Sequence, residues 1–297
     1  MKDHKALIAA FVFSVIIGLS FMFVKISIEF EIQILILAQR FTFAFIGVLV
    51  FFIFKPLSLK LNMKELMLVI VISIFYPVIF FSSQIYGLSQ STVTEAGIIQ
   101  AVAPEITVLL GILFLKEAVS KAQLLGILLS IAGVIFLQLM NVSDVNELHF
   151  VGNLFILLSV FATAIWQVLS RHVSQQIAPI KITIYIMLIG FIFFNVVYFF
   201  SGGTFSNYGQ SLTQIPYLAS LIFLGVLSTF GTSLLSIYAV SQLPVIQVTV
   251  FNNLATLITI LSGILLLNEP FHVYHIVGAA IIIIGVVFVN MPKQHHS

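Results

Sequence analysis

Two ionisable side chains fall inside long apolar runs of this 297-residue chain: Arg40, within AQRFTF, and Glu105, within APEITV. A charge near the middle of a bilayer costs roughly 2.5–3.5 kcal/mol on insertion scales, so each calls for a partner or a task. Glu105 follows Pro104 and lies about 12 residues, roughly 18 Å, from the outer end of its run. A carboxyl group there can exchange a proton, bind a cationic group, or stay protonated and hydrogen-bond a neighbouring helix. Arg40 sits about 8 residues into its run, and a structural pairing with Glu95 or Glu29 is expected before solute binding.

Neutral polar residues line up with these charges. At 100° per residue, Thr249, Asn252, Asn253, Thr256, Thr259 and Gly263 fall within an arc of about 120° on one helix face. A second stripe runs through Gly97, Gln100, Ala101, Pro104, Thr107 and Gly111. Such stripes suit a hydrated cavity; close helix packing also favours small and polar residues, but two adjacent amides exceed what packing needs. Tyr76 and Tyr86 share a face with Ser83, and Tyr238 shares one with Ser228 and Gly231. Trp166, the only tryptophan, aligns with Ser159, Thr163 and Ser170; its ring could stack on a solute or simply pack. The candidate solute-binding set is Gln100, Asn252, Asn253, Thr256, Tyr76, Tyr86, Tyr238 and Trp166, with Glu105 and Arg40 as the charged pair to explain.

The elements that must hold these residues follow from composition. The chain is 61% hydrophobic and 7% charged, with mean hydropathy +1.21. Soluble domains carry roughly 25% charged residues, so lipid must be the solvent for much of this one. Apolar runs of bilayer length recur at 6–26, 32–54, 66–88, 93–115, 121–140, 150–170, 180–200, 215–238, 244–267 and 271–290. The first reads as a retained helix rather than a cleaved leader. Pro77 and Pro104 fall mid-run and predict kinks. The expectation is an all-α integral membrane protein of ten transmembrane helices.

Lys and Arg set its orientation. With a cytoplasmic N-terminus, Lys2, Lys5, Lys55, Lys60, Lys64, Lys116, Lys121, Arg171, Lys181 and Lys293 fall inside, against Lys25 alone outside. Both termini are therefore expected in the cytoplasm. The net charge of +2 gives no reason to expect a nucleic-acid partner. Cysteine is absent and the seven histidines are scattered near loops and ends, so no metal or other cofactor is expected. No His-Glu-x-x-His or Gly-x-Ser-x-Gly occurs, and neither aspartate, Asp3 nor Asp144, lies in a run; an intramembrane enzyme is disfavoured. A channel would show a repeated filter or a charged ring, and none appears.

The chain also resembles itself. Glu117 and Glu269, Gly126 and Gly278, Gly133 and Gly285, and Gln100 and Asn252 are each 152 residues apart. Five spans per half is odd, so the second half would enter the membrane upside down. The expected units are 1–140, an inverted counterpart at 150–290, and a short cytoplasmic tail at 291–297. Glu117 and Glu269 near turns, the glycine pairs of spans five and ten, Gly18-x-x-Phe21-x-x-x-Lys25 and Arg40 resemble the drug/metabolite transporter superfamily, in particular its EamA-type members. Ile17, where tryptophan is frequent in that family, and Glu105 are departures. The resemblance implies two five-helix repeats, alternating access and export of metabolites such as amino acids. A proton-coupled exporter in the bacterial cell membrane is the first reading and an efflux carrier for lipophilic cations the second. The partners expected are a small-molecule substrate and the lipid bilayer, with a homodimer left open.

Overall fold

Long apolar sequences in lipid have one economical backbone solution, because a helix satisfies its own N–H and C=O groups. The computed structural model describes residues 2–115, 121–144, 147–242 and 245–289, and these are helical with no strand among them. In order come α1 (Lys2–Ile28), α2 (Gln33–Phe54), α3 (Met63–Ser73), α4 (Phe80–Gln90), α5 (Val93–Gln100), α6 (Ala103–Leu115), α7 (Lys121–Asp144) and α8 (Glu147–Val173). Then follow α9 (Pro179–Phe200), α10 (Phe205–Ser211), α11 (Ile215–Ile222), α12 (Thr232–Gln242), α13 (Val245–Leu266) and α14 (Val273–Val289). Glu117 and the tail 291–297 lie outside the described residues, as do the side chains of Thr249, Asn252 and Asn253.

Six helical stretches among the described residues are long and apolar enough to cross a membrane: His4–Ile28, Gln33–Phe54, Met63–Gln90, His149–Ser170, Pro179–Phe200 and Ile215–Ala239. Shorter apolar stretches occupy Leu124–Leu137, Leu254–Leu266 and Val273–Gly285. The run at 93–115 is helical but broken at Ala101 and Val102. Pro104 is the cause: it offers no N–H to the carbonyl of Gln100, and its ring crowds that carbonyl. The chain answers with a tight turn, Val102 N–H bonding Ile99 O at 3.2 Å, before helix resumes with Ile106 N–H on Val102 O at 3.1 Å.

Pro77 interrupts the third run in a similar way. Between α3 and α4 the segment Ile74–Ile79 is a wide turn in which Tyr76 is extended (φ −140°, ψ 107°). A second wide turn, Phe223–Gly231, joins α11 to α12 and contains no proline. At the start of α3 a reciprocal cap fixes Met63 as the first residue: Glu65 N–H donates to Asn62 Oδ1 at 2.9 Å, and Asn62 N–H to Glu65 Oε2 at 2.8 Å. The polar segment 201–214 contains α10. Gln39 Nε2 reaches down from α2 to bond Tyr208 O (2.8 Å) and Ser211 Oγ (2.7 Å), which gives that segment a buried anchor.

The packing partners come in a definite pattern. α7 lies along α14, and α2 along α9. α1 packs on α13 and α12, while α8 packs on α5, α6 and α4. The wide turn 223–231 rests on α2, and the turn 74–79 on α9. The α7–α14 seam is built from small residues: a Cβ on Gly133 would stand 3.2 Å from Gly278 O, and one on Gly285 2.6 Å from Gly126 O. Away from these seams the surface is apolar, with Ile53, Phe54 and Phe200 each more than three-quarters exposed. A contiguous apolar exterior of this kind is a lipid-facing surface.

Candidate functional site

Arg40 is 4% exposed, so it cannot reach the interface as a snorkelling side chain would. The expected pairing with Glu95 or Glu29 does not form. Arg40 faces the turn 223–231 instead, where its Nε–H donates to Thr229 Oγ1 at 2.9 Å, and Thr229 passes its own proton to Leu224 O at 2.7 Å. The approach is possible because Gly225 has no side chain: a Cβ there would stand 2.6 Å from Arg40 O and 2.6 Å from Phe43 Cβ. On its other side the guanidinium lies over the Phe81 ring, with Cζ 4.3 Å from the centroid.

Glu95 is engaged elsewhere, near the start of α5. Its carboxylate accepts from Ser91 Oγ (2.8 Å) and Asn153 Nδ2 (3.0 Å), with His149 and His275 at 3.7 and 3.8 Å. Glu269 also serves α5, accepting from Val93 N–H (2.6 Å), Thr94 N–H (2.8 Å) and Thr94 Oγ1 (2.8 Å). A carboxylate at a helix N-terminus meets both free N–H groups and the favourable end of the dipole. Lys25 does the converse at the end of α4, donating to Leu88 O (2.7 Å) and Ser91 O (2.5 Å). The charges at this end of the bundle thus tie helices together.

The energetics of Arg40 differ. A desolvated cation–π contact is worth about 2 kcal/mol, and a hydrogen bond to a charged group about 1.5–3 kcal/mol. Against them stands an effective desolvation penalty of several kcal/mol per ion. A guanidinium also has five N–H donors, and each one buried without an acceptor costs a further ~1–3 kcal/mol. Among the described residues only the Nε–H has an acceptor, and no carboxylate pairs with Arg40. Thr229 and Phe81 hold the group in place without satisfying it.

Beside Arg40 lies an aromatic shelf. Extended backbone at Tyr76 carries its ring onto Trp166 of α8, centroids 4.7 Å apart at 29°, with Phe80 and Phe81 each 5.1 Å from Tyr76. Trp166 Nε1 is buried without a hydrogen-bond partner, and so is Ser170 Oγ one turn further along α8. The break in 93–115 supplies more such atoms. Glu105 is 0% exposed and neither carboxyl oxygen has a partner; Gln100 Oε1 is in the same position, as is Ser228 Oγ in the second wide turn. Among the described residues no neighbouring helix gives Glu105 a hydrogen-bond partner. Thr107, two residues on, meets Gln167 Oε1 at 3.4 Å, which sets α6 against the stretch of α8 that carries Trp166.

The other candidates lie apart. Thr256 lines a lateral crevice with Ile98, Ala101, Ile260 and Ala279, where α5, α13 and α14 meet. Tyr86 packs edge-on against Phe155 at 4.5 Å and is 40% exposed. Phe155 stands 11 residues from Trp166 on α8, about 16 Å along the axis, so Tyr86 does not join the Tyr76 shelf. Tyr238 is similarly half-exposed. Sequence reasoning passed over Thr229, Phe81 and the network in which Gln39 Oε1 accepts from Tyr217 Oη at 2.5 Å. A buried glutamine beside a buried arginine was the available signal.

Comparison with known proteins decides the family. The profile described as the EamA-like transporter family matches residues 4–139 and again 150–291. The chain belongs to the EamA-like transporter family. Among relatives of this EamA-like chain, the uncharacterized transporter YcxC of Bacillus subtilis is 36% identical over 296 residues, covering 99% of this chain and 95% of its own. Another from the same organism, YetK, is 28% identical over 79% of this chain and 70% of its own. A transporter of Archaeoglobus fulgidus is 26% identical over 65% and 66%. A solved crystal structure superposes with a TM-score of 0.66 at 15% identity, over 97% of each chain, which is a likeness of fold. The EamA-like chain is therefore a membrane transporter.

Proposed function

We propose that this EamA-like protein is a secondary transporter that exports a small metabolite of amino-acid type across a bacterial plasma membrane. It works by alternating access between two oppositely oriented five-span halves, 1–140 and 150–290, with both termini cytoplasmic. Several observations support the two halves. The packing pattern keeps its form when spans one to five are exchanged with six to ten: α1 on α13 corresponds to α8 on α5 and α6, and α1 on α12 to α8 on α4. The wide turns 74–79 and 223–231 fall at corresponding places. Lys181 Nζ meets Lys60 O at 3.3 Å and Tyr185 Oη meets Leu59 O at 2.9 Å, so α2 ends where its counterpart α9 begins. The two helices then run in opposite directions.

The observation that carries the transport path is the set of partnerless polar atoms in the apolar interior: Glu105, Gln100, Trp166, Ser170 and Ser228. Buried polar groups are ordinarily satisfied, and a group that is not has another use. A solute that hydrogen-bonds them in passing supplies the missing partners. Glu105 is the proton-exchanging member of the set. The aromatic shelf and the Glu105 carboxyl also suit a lipophilic cation, which is the second reading.

Counterflow in proteoliposomes separates the two. Vesicles preloaded with unlabelled amino acids and related metabolites are expected to accumulate the labelled solute, faster with a pH gradient. Movement of cationic dyes alone would favour the second reading, and no exchange of either class would contradict transport by this path.

A further inference from the structure

We infer that Arg40 is the anchor for a carboxylate group of the transported solute. The inference rests on the transport reading above and adds the chemical class that the path selects. A guanidinium stays charged in a protein, so a buried one cannot escape its need for an anion by losing a proton. The groups that meet Arg40 among the described residues carry no counter-charge: Thr229 Oγ1 on Nε, the Phe81 face at 4.3 Å, and Tyr76, near enough to interact electrostatically. Thr229 and Phe81 hold the group, and no hydrogen-bond acceptor for its terminal nitrogens is found among the described residues. Two parallel N–H bonds from that fork match the two oxygens of a carboxylate.

Neighbouring groups narrow the choice of anion. No second Arg or Lys shares the position among the described residues. Lys25 is engaged by the carbonyls of Leu88 and Ser91 at the end of α4, and the remaining cations lie near loops or helix ends. A single positive charge balances a carboxylate and leaves a phosphate dianion under-compensated. Tyr76 and Trp166 supply an apolar, aromatic wall beside the anchor, fit for the organic part of the solute. The arginine's fixed placement also argues for a ligand role. Gly225 lets the turn 223–231 approach α2 closely enough for Thr229 to hold the guanidinium's inner edge.

The protein carries its own reporter. Trp166 is the only tryptophan, and its ring is stacked on Tyr76, so a solute at Arg40 should change its fluorescence. Purified protein in detergent is titrated with amino acids and with monocarboxylates of similar size, each tested beside its carboxamide. The same pairs compete for counterflow in proteoliposomes. The acids are expected to bind on the order of 30-fold more tightly than their amides, the loss that follows when one partner of a buried charged pair is removed. In Arg40→Gln that preference should vanish while the unfolding temperature stays level or rises, because a buried charge without a counter-ion has gone. Equal binding of acids and amides by the wild-type protein overturns the anchor and leaves the transport reading standing. So does an Arg40→Gln protein that unfolds earlier yet keeps its preference for acids. Silence towards every panel member, acid or amide, in both assays overturns the anchor and the transport reading together.

Discussion

Replacing Glu105 by glutamine is expected to remove the pH-gradient-driven part of transport while leaving the amount of protein in the membrane unchanged. Glutamine keeps the shape of the side chain and gives up the proton. The expectation of unchanged abundance follows from the surroundings: Glu105 is fully buried, and neither oxygen holds a hydrogen bond whose loss could unsettle the fold. An ionised carboxylate without partners costs far more than a neutral one in such a place, so the group is poised to trade its charge for a proton or for a cationic part of the solute. Gradient-stimulated counterflow should fall by roughly an order of magnitude or more, towards that of empty liposomes. Full stimulation in Glu105→Gln would show that the carboxyl group takes no part. A fall in membrane abundance to match the fall in activity would return Glu105 to a structural role.

The second large effect belongs to the seam between α7 and α14. A Cβ at Gly285 would collide with Ser130 Oγ and stand 2.6 Å from Gly126 O and 2.8 Å from Ser130 N. Two of those three atoms are backbone and cannot turn aside, so the helices themselves must separate. Overpacking of a tight core typically costs about 1–3 kcal/mol, and contact with backbone lies at the upper end. In lipid the loss is not repaid by a hydrophobic driving force, since helix association there depends on close packing. Gly285→Leu is expected to lower the folded fraction of detergent-extracted protein severalfold, read as the monodisperse peak in size-exclusion chromatography. Gly209→Leu on α10, where an added Cβ meets nothing within 4 Å, should leave that peak unchanged. Equal recovery of the two variants would contradict the seam.

How far the sequence foretold this structure depends on the range of the interaction. Apolar runs foretold the helices, because a run of bilayer length has no other way to satisfy its backbone. Pro104 and Pro77 foretold interruptions for the same local reason, although the first breaks the helix at Ala101 and Val102 rather than bending it at the proline. The partner of Arg40 was not legible. Thr229 is 189 residues away, and the nearer carboxylates that electrostatics alone would choose are held at another level by Ser91, Asn153 and the N-terminus of α5. The helix within 201–214 was hidden as well, since its anchor is Gln39 on a distant span. Among the candidate residues, Tyr76, Trp166, Gln100 and Glu105 supply the shelf and the orphaned groups on which the proposed path rests, whereas Tyr86 shares its helical face in projection but stands about 16 Å along the bundle. Periodicity reports the face of a residue and is blind to which depth its neighbours occupy.

Insertion of the two five-span halves in opposite senses is tested most directly by sidedness. The chain has no cysteine, so single substitutions report cleanly. Lys60→Cys and Gln176→Cys, close to Lys181, flank the meeting of α2 with α9, and Asn207→Cys lies on α10 beyond the other end of α9. In intact cells a membrane-impermeant maleimide is expected to label Asn207→Cys and to spare Lys60→Cys and Gln176→Cys until the membrane is opened. Labelling of Lys60→Cys and Gln176→Cys from opposite sides would contradict the inverted halves.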